Sequence, residues 1–229
     1  MPSYGGQALI EGVLMRGKHS AAAAMRAPDG TITIHTEPLQ GIYQSPWMRL
    51  PFLRGIIGLW DALGLGMHFL TMSANLQSPE DEKIEGGSFF ATVGGSLLIA
   101  ALIFFAGPAF LGQISEKALH FSPFAGNMIE GLIRLIAVIG YIWLVGKIPE
   151  IARVFAYHGA EHKTINAFED NAELTPASVM RYSLEHPRCG TAFLLTLVVF
   201  SVIIFTLLGP LPTLVRLLSR IVLLPAIAG

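Results

Sequence analysis

Hydrophobic and polar positions divide the chain into stretches of very different character. Residues 89 to 111, "FFATVGGSLLIAALIFFAGPAFL", carry no charge. That run suffices to cross a bilayer, which takes about 20 apolar residues as a helix. Residues 129 to 148 form a second candidate span, interrupted by Arg134, and residues 191 to 209 a third. A fourth, over 211 to 228, is weakened by Arg216, Arg220 and Pro225. Residues 51 to 75 are also apolar but contain Arg54, Asp61 and His68. Charge at the bilayer centre is costly, so this stretch reads as an interfacial or re-entrant helix. The acidic "QSPEDEKIEGG" after it reads as a solvated linker.

Residues 1 to 50 follow a different rule. Pro28-Asp29-Gly30 is a turn signal, and Thr31, Ile32, Thr33 and Ile34 alternate after it. That pattern predicts a β-hairpin, and "QALIEGVLMRG" is a candidate to extend it into a small antiparallel sheet. A hairpin alone is marginal and must pack on something else. The predicted fold class is therefore mainly α: a polytopic helical membrane protein of three to four spans. A small cytoplasmic α/β cap would contain the N-terminal β-hairpin. The parts are a β-rich cytoplasmic segment (1–50), an interfacial or re-entrant helix with acidic linker (51–88) and two transmembrane helices (89–148). A cytoplasmic helical segment (149–190) and one to two further spans (191–229) complete the order.

Composition agrees. Of 229 residues, 52% are hydrophobic and 14% charged, against roughly 25% charged in soluble domains. A net charge of -1 offers no basic surface for nucleic acid. The single cysteine, Cys189, excludes an internal disulfide framework. The opening "MPSYGGQALIEG" lacks the basic and apolar regions of a secretory signal, so internal segments would drive insertion. Arg16, Lys18, Arg26, Arg49, Arg54 and Lys83 precede the first span, and only Lys117 lies between the first two. Arg153, Lys163, Arg181 and Arg188 lie between the second and third, with Lys147 at the boundary. The positive-inside rule then puts the N-terminus and the 149–190 segment on the cytoplasmic side of a cell (inner) membrane. Both polar parts can form one domain.

The candidate chemistry lies in "YHGAEHK", residues 157 to 163. Pro149 and Glu150 suit the first turn of a helix. His158 and His162, four apart, share a face of that helix and can chelate one metal ion. Glu161 completes the order H-x-x-E-H, in which the glutamate acts as general base on a water the metal activates. The competing reading is an amphipathic helix whose polar face meets lipid headgroups. A second cluster, "LEHPRCG", supplies His186 and Cys189, both zinc-compatible ligands. Its alternative is a turn that sets the angle of membrane entry. Glu11 stands among Leu9, Ile10, Val13 and Leu14. If buried it needs a metal, a donor or a cation such as Arg16 or Arg188; if not, it is an exposed edge-strand residue. His19 and His35 read as surface, and His68 and His120 as interfacial. Arg54 and Asp61 can pair or reach the interface.

"YGGQALIEGVLMRG", "PFLRGIIGL", "FAYHGAEHKTINAFE" and "HPRCGTAFLL" resemble, in order and through most of the chain, the YqhQ-like family of bacterial membrane proteins. That family has no assigned function and is described as predicted metal-dependent enzymes. The resemblance implies roles for Glu11, His158, Glu161, His162, His186 and Cys189. It also implies that members continue past "LLPAIAG", which bears on the fourth span.

The expectation is a divalent metal, zinc, on His158 and His162, with His186, Cys189 or Glu11 completing the shell. Glu161 is the expected base of a metal-assisted hydrolysis whose substrate is a lipid, a peptide or a small metabolite. Membrane lipid is the expected partner, with no nucleic acid and with homo-oligomerisation open. Two rivals stand. One is a non-catalytic scaffold or assembly factor with a structural metal or a polar His/Cys cluster. The other is a transporter using Arg134, Arg216 and Arg220.

Overall fold

The computed structural model of the chain describes residues 5–39, 53–79, 86–187 and 189–208, and isolated positions 81, 83, 211, 215, 218 and 219. Side chains of 53–62 and 86–89 are outside this description, as are Arg188 and nearly all of the fourth candidate span. Four strands come first: β1 (Gly5–Leu9), β2 (Gly12–Arg16), β3 (Ser20–Arg26) and β4 (Ile32–Pro38). The helices are α1 (Leu53–Gln77), α2 (Gly86–Ala101), α3 (Gly107–Ala118), α4 (Pro123–Val145), α5 (Pro149–Glu169), α6 (Pro176–Val179) and α7 (Gly190–Leu207), with a π-turn, Leu102–Ala106, between α2 and α3.

Two compact units result. The first comprises Met1–Arg49, Ile57–Ile84 and Val145–Cys189; the second Leu50–Ile56, Glu85–Leu144 and Gly190–Gly229.

In the first unit the expected hairpin is a four-stranded antiparallel meander in the order β1-β2-β3-β4. The Pro28-Asp29-Gly30 signal joins β3 to β4: the Asp29 carboxylate accepts hydrogen bonds from the Thr31 N–H (2.9 Å) and hydroxyl (2.7 Å). Gly30 takes the positive φ of +87° that this turn requires. Alternation puts Leu9, Leu14, Ala21, Ala23 and Met25 on one face. There they bury against Phe69 of α1, with Leu65, Leu70, Met72 and Leu76 packed alongside. The apolar stretch that read as an interfacial or re-entrant helix is, over its described side chains, the cover of this sheet. Ser73 fixes the packing by accepting the Ile10 N–H at 3.2 Å and donating to the Leu70 carbonyl at 2.8 Å. His68, read as interfacial, instead contacts Glu37 Oε1 at 3.0 Å, as does His35. Helix α5 packs on β1 and β2. Gly6 faces it, and Gly6 points to the side of β1 opposite Leu9.

In the second unit, three helices are long and apolar enough to cross a membrane: Phe90–Ala118, Pro123–Val145 and Gly190–Leu207. They correspond to the first three predicted spans. Their buried positions mix apolar residues such as Val138, Val198 and Phe205 with polar ones. On α4, Asn127, Glu130 and Arg134 are buried beside Gly126 and Gly131. Pro108 cannot donate the helical hydrogen bond that the Phe104 carbonyl would receive. Arg134 Nε donates to that carbonyl instead, at 3.0 Å. The same guanidinium donates to Glu130 Oε1 at 2.8 Å and lies over the rings of Phe105 and Phe205. Asn127 donates to the Phe205 carbonyl at 3.1 Å, and Gly131 leaves room for Val202. The Arg134 that interrupted the second apolar run is thus charge-neutralised within one turn.

Removing one partner of a buried ion pair leaves an uncompensated charge. Arg134→Ala is expected to destabilise by about 3–5 kcal/mol, while Glu130→Leu with Arg134→Met recovers most of the loss. Thermal unfolding of the detergent-solubilised variants checks this.

Candidate metal centre

Helix α5 opens as its sequence dictates. Ile148 is extended, Pro149 fixes the first turn, and Glu150 sits at the positive end of the dipole. The helix runs unbroken through "YHGAEHK", so the His158 and His162 rings are neighbours, their centroids 4.2 Å apart and their planes tilted by 57°. Gly159, between them, is approached by Leu184 from the loop before α7. That loop carries Cys189 to within 3.3 Å of His158 Nε2. Ligand atoms of His158, His162 and Cys189 all lie within 4.8 Å of one another. Two imidazoles and a thiol are a donor set suited to zinc.

Side chains of α5 hold the loop in place through its backbone. His162 Nδ1 donates to the Leu184 carbonyl at 2.6 Å. A carbonyl only accepts, so this bond puts the proton on Nδ1 and leaves the Nε2 lone pair for a ligand. Lys163 Nζ donates to the carbonyls of Met180 and Tyr182, both at 2.7 Å. Asn166 Nδ2 donates to those of Ser183 and Glu185, both at 3.0 Å. Residues 162, 163 and 166 therefore grip five carbonyls of one strap. Lys163 and Asn166 were not singled out from the sequence. Their only sequence signal was position: Asn166 lies four residues after His162, on the same helical face.

Glu161 points the other way, into the sheet. It is 4% exposed, and its carboxylate occupies the space that a Cβ at Gly6 would need. Its Oε2 lies 3.0 Å from His158 Nδ1 and 4.0 Å from His162 Nε2. Neither contact has hydrogen-bond geometry, and that buried oxygen has no hydrogen-bond donor. The adjacent carboxylate raises the His158 imidazole to about 9 against the opposing effect of burial, and Cys189 adds to the rise.

The remaining predicted residues separate. His186 is buried beside the centre, its ring centroid 5.9 Å from that of His162, and its Nε2 is 3.5 Å from Glu169 Oε2. Glu11 does not join the cluster. It sits in the β1–β2 turn with φ 53° and is clamped by the Arg153 guanidinium through both carboxylate oxygens. The Tyr157 hydroxyl donates to it at 3.2 Å. Its cation is Arg153 rather than Arg16; Arg188, the other candidate, lies outside the described residues. In the structure Glu11 forms a tie between sheet and helix. Arg153 holds the Glu11 carboxyl below the usual carboxylate range, with Tyr157 adding to the effect.

A family model described as "Protein of unknown function (DUF1385)" matches residues 50–229. The chain is 35% identical over 246 aligned residues to "Uncharacterized protein YqhQ" of Bacillus subtilis (strain 168), covering all of this chain and 76% of that protein. No solved structure matches.

Two outcomes follow from this geometry. Gly6→Ala is expected to destabilise by about 1–3 kcal/mol through overpacking. Adding Glu161→Ala should relieve most of that penalty, which a double-mutant cycle of unfolding free energies reads directly. The depressed Glu11 contributes stability above the ordinary carboxylate range and loses it as pH falls through the lowered value. The melting-temperature gap between wild type and Glu11→Gln is therefore expected at neutral pH and should close on acidification.

Proposed function

Because the chain belongs to the DUF1385 family of unknown function, we propose its role from the site itself: a metal-dependent enzyme of the bacterial inner membrane. The observation that carries the reading is the convergence of His158, His162 and Cys189 beside the buried, donor-less oxygen of Glu161. Three protein ligands leave a coordination position open, which is the catalytic rather than the structural pattern. A divalent cation, zinc, fits this donor set and, when bound, would supply Lewis acidity and a water acidic enough to react near neutral pH.

The chain's own groups divide the remaining work. His162 is held in one tautomer by the Leu184 carbonyl, so its Nε2 is ready for a ligand. Glu161 Oε2 can take the proton of the attacking water as its oxygen bonds to the electrophilic centre. It can return that proton to the leaving group as the old bond breaks, the pattern of general acid–base catalysis. Burial of Glu161 excludes competing water from that carboxylate.

The three apolar helices and the Lys/Arg distribution support a multi-pass protein with the N-terminus and 149–190 on the cytoplasmic side. The sheet and α5 belong to one compact unit, in keeping with a common side.

A second reading has its own support. His186 lies close enough to His162 to complete a four-ligand shell after a side-chain movement. That would make the centre structural and the protein a scaffold or assembly factor.

Elemental analysis of the detergent-purified protein tests both readings. About one zinc per chain is expected in wild type and none in His158→Ala/His162→Ala. Glu161→Gln and His186→Ala should keep the metal if the site is catalytic. Loss of the metal in His186→Ala favours the structural shell, and a metal-free wild type after zinc supplementation sinks both.

A further inference from the structure

Cys189 is followed immediately by Gly190, the first residue of the apolar helix α7. Successive Cα atoms are about 3.8 Å apart, and Cys189 Sγ is 3.3 Å from His158. The candidate centre is thus tied, by a single peptide bond, to a helix of 18 residues with mean hydropathy 2.4. A helix that spans the bilayer delivers its first residues to the headgroup region.

The strap that α5 grips has a second property. Its backbone carbonyls face the helix, while the side chains of Met180 and Leu184 are 73% and 61% exposed. Between them Arg181 is also exposed. Leu184 presents its carbonyl to His162 and its side chain to Gly159, so this apolar rim is built from the same residues that shape the centre. Exposed large apolar side chains beside a cation are the composition of a surface that meets anionic headgroups and the acyl boundary below them.

From the chain connection to α7 and this rim, which are independent observations, we infer that the centre acts on a membrane lipid. The headgroup linkage meets His158, His162 and Cys189, and the Met180–Leu184 rim lies in the bilayer interface. The inference rests on the metal-dependent reading above and names its substrate class. It selects lipid over soluble metabolite and peptide, because a polar substrate from the aqueous phase needs no apolar rim.

The position of the rim is tested without the metal. Cys189 is the only cysteine. Met180→Cys and Leu184→Cys in a Cys189→Ser background can therefore each carry one environment-sensitive fluorophore. The proteins are placed in phosphatidylglycerol/phosphatidylethanolamine vesicles containing lipid with a nitroxide near the headgroup. Blue-shifted emission and several-fold stronger quenching than at a Thr31→Cys control are expected. Water-like emission without quenching overturns the inference.

The substrate class is tested on cobalt-loaded wild type in detergent micelles free of phospholipid. Short-chain phosphatidylglycerol should perturb the cobalt spectrum at a concentration at least tenfold below glycerol phosphate, and Met180→Asp/Leu184→Asp should abolish that preference. Equal responses to the lipid, its soluble headgroup and a soluble peptide overturn it. A rim found in the interface with no cobalt bound removes the metal-dependent reading, and the lipid assignment with it. Cobalt bound with an aqueous rim removes only the lipid assignment.

Discussion

The structure turns on burying the Glu161 carboxylate between α5 and β1. A carboxylate removed from water without donors is expensive, so its surroundings must compensate. Gly6 supplies the space by having no side chain, and the His158 ring comes within 3.0 Å of the carboxylate. The consequence spreads outward. With Glu161 facing the sheet, the next helical position, His162, is turned toward the loop. His158, one turn earlier, lies between the two. One buried acid therefore orients both imidazoles.

The loop solves the complementary problem. Residues 180–185 have no regular secondary structure to satisfy their carbonyls. His162, Lys163 and Asn166 donate to them in succession. Backbone satisfaction and ligand placement are thereby the same event: once the strap lies along α5, Cys189 arrives beside His158. A hydrogen bond of this kind fixes the orientation of the imidazole ring. The Glu11–Arg153–Tyr157 tie anchors the helix to the β1–β2 turn at its other end.

The apolar unit obeys the same accounting. Pro108 deprives the Phe104 carbonyl of its helical donor, and Arg134 replaces it while pairing with Glu130. Small residues and polar contacts take part in its packed face. Gly131 and Asn127 are further instances.

Much of this was legible in the linear chain. Three uncharged or nearly uncharged runs fix three long apolar helices, because length and hydropathy are local properties. The Pro28-Asp29-Gly30 turn and the alternation after it fix β3–β4, since turn chemistry and side-chain period are also local. The His158–His162 spacing fixes a shared helical face. Other outcomes were decided only by the tertiary structure. The apolarity of 51–75 could serve a membrane surface or a sheet, and over its described side chains Phe69 is buried with Leu9 and Leu14 of the sheet. Glu11 could meet a metal or a cation, and the fold brings Arg153 to its carboxylate. Cys189 joined His158 across 31 residues of chain because α5 grips the intervening backbone, and carbonyl acceptors carry no signature in a side-chain sequence. Local periodicity determines elements; which charge meets which across the fold depends on packing that no single segment encodes.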